Sequence, residues 1–113
     1  MTREVPPPAD ASLQPLIDVL DALIQVLEQD GDTHWSAWMR RAKSRLAQGD
    51  DRGADDLLGA YGGMGSFNDL ILGQSYQGGR FAWKPGYADL NERFDALRGR
   101  AWELAQGIRR RRA

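Results

Sequence analysis

YGGMGSFNDLIL, residues 61–72, places three glycines within four positions ahead of a hydroxyl, an aromatic ring, an Asn-Asp pair and three apolar residues. A glycine loop of this kind either cradles a phosphate or joins two elements of a fold. Cradling needs a strand before the loop, a helix opening after it and free backbone N–H groups aimed at the anion. Here the preceding residues read as helix, and no lysine follows the last glycine. The stretch therefore reads as a joint. Gly62 or Gly63 is expected to stop a helix in the left-handed conformation, Gly65 to allow a tight reversal, and Ser66 or Asn68 to bond the freed backbone groups. Met64 and Phe67 would pin that joint to the core.

Working outward, DRGADDLLGAY before the loop predicts a short helix capped by Asp50 or Asp51, with Ala54, Leu57, Leu58 and Tyr61 turned inward. Further upstream, Asp32 or Thr33 can cap a helix running to Gly49, whose buried stripe is Trp35, Trp38, Met39, Ala42 and Leu46. The first helix is the strongest signal. It starts at Ser12 with Pro15 in its first turn, and Leu13, Leu16, Ile17, Leu20, Leu23, Ile24 and Leu27 fall within an arc of about 120°. Gly31 ends it. Downstream, Tyr87, Leu90, Phe94, Leu97, Ala101, Leu104 and Ile108 alternate steps of three and four along a long helix expected to fray into the arginine run. Between Leu70 and Lys84 the helical period is lost, and two β-prone runs flank Gly78-Gly79, which reads as a short hairpin or an irregular insertion. The expected fold is mainly α: a small helical bundle in one domain, residues 12–108, after a proline-rich leader (1–11) and before a basic tail (109–113).

The 113 residues are enough for one core and no more. No apolar run approaches the roughly 18 residues of a membrane span, and the N-terminus lacks a signal-peptide pattern, so a cytoplasmic protein is expected. The absence of cysteine excludes disulfides and thiolate metal sites. His34, the only histidine, has just Asp30 and Asp32 nearby, so no metal site is expected, and no cofactor motif is present. No serine has the neighbours of a nucleophile, and adjacent carboxylates such as Asp50-Asp51 and Asp55-Asp56 point in different directions on a helix. No catalytic group is expected.

The net charge of −1 is unevenly spread. Up to Ser36 there are seven acidic residues and one basic; the remainder holds 14 basic and 9 acidic, four of the basic ones being Arg109 to Arg112. Without that run, 11 basic residues face 16 acidic ones, a sign that disfavours nucleic acid.

The signature GGMGSFNDL, followed by a C-terminal helix of pattern L-R-x-x-x-W/Y-x-L-A, resembles a family of small bacterial domains of unknown function. The resemblance covers Gly62 to Leu72 and falls on Leu97, Arg98, Trp102, Leu104 and Ala105. Members of such families often occur beside polymorphic toxins, which implies an immunity protein: a non-catalytic inhibitor whose partner is a cognate toxin protein and which occludes that toxin's active site. Charge suggests where. An acidic face suits the basic cleft of a toxin that acts on nucleic acid, and Asp18, Asp21 and Glu28 share one face of the first helix, extended by Asp30 and Asp32. Asn68 and Asp69 would form a second patch. The alternative is an accessory protein that binds nucleic acid through Arg109 to Arg112.

Overall fold

The computed structural model describes residues 12–62 and 65–112. The expectations for the leader, Gly63, Met64 and Ala113 lie outside the described residues. The chain runs α1 (Gln14–Gln29), α2 (His34–Ala47), α3 (Gly53–Leu58), a 3-10 turn (Phe67–Asp69), β1 (Gln74–Gln77), β2 (Arg80–Trp83) and α4 (Tyr87–Arg112). The fold is mainly α, and residues 74–83 form a hairpin.

α1 lies at the centre, packed on both α2 and α4, while α3 bridges α2 and α4. Contact on two sides explains why α1 buries more than a single stripe: Val26 joins the predicted Leu16, Leu20, Leu23 and Leu27 in the core. The Leu13 carbonyl accepts the first helical N–H groups, so α1 begins just after Leu13, with Pro15 in its opening turn. α1 and α2 end alike. The Asp32 N–H reaches back to the Leu27 carbonyl around Gly31, and the Asp50 N–H to Arg45 around Gly49, each at 3.0 Å. Both glycines carry φ just above 80°, the left-handed value of this terminator, which a side chain would strain. Asp32 caps α2 from one residue upstream of the nominal cap, its carboxylate accepting from Trp35 N–H at 2.7 Å and Ser36 N–H at 3.2 Å.

Two expectations are corrected. α3 ends at Leu58, so Gly62, though at φ 119°, lies beyond the helix and does not stop it. Backbone bonds from Ala60 to Leu57 and from Tyr61 to Leu58 close the end instead. α4 does not fray before Arg112. Arg112 donates to both oxygens of Asp55 (2.9 and 2.7 Å) and to Asp51 (3.3 Å), which ties the last turn to α3 where positive charge also suits the helix dipole.

The described residues that follow Met64 are tied to the body and to one another. Phe67 N–H bonds to the Ala60 carbonyl, and the Phe67 ring is fully buried among Trp35, Tyr61 and Phe94 at centroid distances of 5.3 to 5.5 Å. Ser66 Oγ accepts from Asn68 N–H, and the Asp69 carboxylate accepts from Gly65 N–H at 2.7 Å. A carboxylate already holding a loop amide repels the anion that a phosphate cradle would bind.

Candidate binding surface

The hairpin turns on Gly78-Gly79, both at positive φ (59° and 78°), the requirement of the two-residue turn that matches strand twist. Gln77 pairs with Arg80, Tyr76 with Phe81, Ser75 with Ala82 and Gln74 with Trp83. Because side chains alternate, Tyr76, Phe81 and Trp83 share one face. Tyr76 meets Phe81 at 5.3 Å, Phe81 meets Trp83 at 5.0 Å edge-on, and Trp83 stacks on Tyr87 of α4 at 4.5 Å. This ladder is solvent-exposed, Tyr76 to 69%. Neither strand packs extensively on a helix.

The base of the hairpin is built firmly. Gly73 lies so close to α4 that an added Cβ would sit 2.6 Å from the Tyr87 Cβ. Asp30 accepts from Gly73 N–H at 3.0 Å and from Lys84 Nζ at 3.1 Å, tying both arms of the hairpin to the end of α1. Asn91 reads the backbone of Leu72 completely, its Oδ1 accepting from the N–H at 2.9 Å and its Nδ2 donating to the carbonyl at 2.8 Å. Such pairing satisfies buried backbone that belongs to no regular element.

Beside this base lies a groove of about 480 Å³ bordered by Asn68, Asp69, Ile71, Trp83, Tyr87 and Asp95. Arg98 fixes its floor. The guanidinium donates to the carbonyls of Phe67 (2.7 Å) and Leu70 (3.1 Å), pairs with Asp95, and lies 4.5 Å above the Phe94 ring. The Arg98 carbonyl in turn accepts from Tyr61 Oη at 2.7 Å. Burial pushes the Tyr61 hydroxyl well above its ordinary pKa, against the pull of the Arg98 charge. A second hollow, lined by Asn68, Asp95, Arg98, Gly99 and Trp102, continues the groove along α4.

The residues expected to bind a partner fall into two groups. Asn68 and Asp69 stand exposed on the groove. The α1 set has internal partners: Asp18 accepts from Gln14, Asp21 pairs with Lys43, Glu28 with Arg40 at 2.6 Å, Asp30 with Lys84, and Asp32 caps α2. That surface is therefore less acidic than its sequence. At the other end, Asp50 is held below the ordinary carboxylate range by its hydrogen bond from Arg52. His34 packs edge-on against Trp35 at 4.6 Å, and among the described residues no group of three or more His, Cys, Asp or Glu could hold a metal.

Sequence reasoning missed Ile71, Tyr76, Phe81, Trp83 and Tyr87 as a surface. The available signal was the spacing of Phe81 and Trp83, two apart on a strand, with Tyr76 opposite across a two-residue turn. Among the described residues, no helix is long and apolar enough to cross a membrane. Neither the curated proteins nor the solved structures offer a match to the chain. A family described as a domain of unknown function (DUF6966) matches residues 28–80, a span that takes in the Gly62–Leu72 signature and stops before the α4 pattern.

Proposed function

We propose that this protein is a non-catalytic binding module, an immunity protein in the sense its signature implies, that neutralises a toxin by laying the aromatic hairpin and the adjoining groove against it. One observation carries the reading. Among the described residues six large apolar side chains are exposed; five of them (Ile71, Tyr76, Phe81, Trp83 and Tyr87) form one continuous surface, and Trp102 lies farther along α4 on the hollow that continues the groove. Isolated exposed hydrophobics need no explanation, whereas a contiguous aromatic patch on a preformed arm has the composition of interface hot spots. A projecting hairpin also has a shape suited to entering and blocking a cleft. Asn68, Asp69 and Asp95 give the patch a polar rim that can fix orientation. The arginine tail supports the rival reading less, because Arg112 and Arg109 lie against Asp55.

The test is co-expression with the toxin domain encoded beside the protein's own gene, with host survival as the readout. Wild type should protect, and a Tyr76→Ser, Phe81→Ser chain that stays folded should lose protection. Undiminished protection by that variant, or turnover of a small substrate by the purified protein, overturns the reading.

A further inference from the structure

We infer that two copies of this chain pair through the outer edge of β1, joining their hairpins into a four-stranded antiparallel sheet. The register decides which backbone groups are free. Lys84 N–H donates to the Gly73 carbonyl at 2.7 Å, which makes 73 and 84 a hydrogen-bonded pair. In an antiparallel ladder such pairs alternate, so 75/82 and 77/80 are bonded inward, while 74/83 and 76/81 turn their N–H and C=O groups outward. β1 thus offers the amides and carbonyls of Gln74 and Tyr76 along one edge, and β2 those of Phe81 and Trp83 along the other.

The two edges differ in what guards them. Exposed edges are protected by charge and by proline, and β2 has both: Arg80 at its start, and Lys84-Pro85 after its end. If β2 paired with itself about a two-fold axis at Ala82, Arg80 would face Lys84 of the other copy. β1, QSYQ, has no charged residue and no proline. Paired with itself about an axis at Ser75, it sets Gln74 against Tyr76 and Gly73 against Gln77, with no like charges opposed. That register satisfies all the outward groups of Gln74 and Tyr76 in both copies. A closed two-fold contact of this sort is the commonest symmetry of homo-oligomers. It also relieves a weakness, since a lone two-stranded hairpin is only marginally stable in water. Tyr76, Phe81 and Trp83 of both copies then lie on one face of one sheet, so the dimer would present the proposed toxin-binding surface twice. The pairing itself does not depend on that function.

Ser75 supplies the test, since its side chain meets its own counterpart across the axis in a non-bonded pair, where side chains stand closest. Sedimentation equilibrium of the full chain should give the mass of two chains. Ser75→Lys should weaken self-association on the order of tenfold or more through like-charge opposition, and Ser75→Glu should do the same. An equimolar mixture of the two should recover the dimer, with near-UV circular dichroism of the Trp83–Tyr87 stack reporting that the hairpin is intact throughout. A wild-type chain that sediments alone at every concentration overturns the inference. So does a dimer indifferent to charge at position 75.

Discussion

In the helical body most large apolar side chains are buried against one another; on the hairpin none is. Phe67 and Phe94 are as aromatic as Phe81 and Trp83, yet the first two are fully buried and the others are close to half exposed. The body aromatics are surrounded on all sides, by each other and by α1, α2 and α4 side chains. The hairpin aromatics touch mainly one another and Tyr87. Since burying apolar area stabilises by about 25 cal/mol per Å², residues that leave such area in water add little to folding. Folding of the chain alone gives little account of their apolar character, which is what the proposed binding surface would explain.

The contrast can be broken most forcefully at Phe67. Removing a buried Phe ring costs about 3 to 5 kcal/mol, and this ring also anchors the glycine joint. Phe67→Ala should therefore lower the denaturation midpoint sharply or leave the chain unfolded, as chemical denaturation followed by far-UV circular dichroism would report. A small shift would mean that the joint, and not the ring, holds α3 against α4.

A smaller effect is expected at Tyr61, whose ring packs on Phe67 while its hydroxyl donates to the Arg98 carbonyl. Tyr61→Phe keeps the ring and should cost about 1 kcal/mol at neutral pH. The sign with pH follows from burial. The unfolded chain ionises near the ordinary value of 10.0, whereas the folded protein keeps the proton to higher pH. Above that ordinary value the unfolded state binds fewer protons, so stability falls as pH rises. Urea melts at pH 9 and pH 11 should show a steeper decline for wild type than for Tyr61→Phe; parallel declines would show that another group controls the alkaline limit.

The body was legible in sequence because its signals are local. The α1 stripe, the glycine terminators at 31 and 49, and the Gly78-Gly79 turn each depend on residues a few positions apart. The surface was not legible, since the contacts that shape it are distant. Arg98 closes carbonyls 28 and 31 residues earlier, Asp30 holds Lys84 54 residues later, and Arg112 extends α4 by reaching Asp55 57 residues back. Local period also cannot tell an aromatic ladder that faces a core from one that faces water. Both alternate. The pairing of the α1 carboxylates was illegible for the same reason, because Lys43 and Arg40 meet Asp21 and Glu28 only once α2 folds back.

The smallest effect on stability should come at Phe81, and there the comparison is sharpest. Phe81→Thr introduces a β-branched residue suited to the strand and removes one member of the Tyr76–Phe81 cross-strand pair, a contact worth about 0.2 to 1 kcal/mol. Because the hairpin packs little against the helices, even that loss should stay local: the global midpoint should be almost unchanged, while hydrogen exchange quickens at Ser75 and Ala82, whose amides face each other across the ladder. A substitution that is nearly silent in global stability yet lies at the centre of the exposed aromatic ladder separates folding from recognition. If Phe81→Thr instead lowered the midpoint as far as Phe67→Ala, the hairpin would be part of the core, and its aromatic residues would need no partner to account for them.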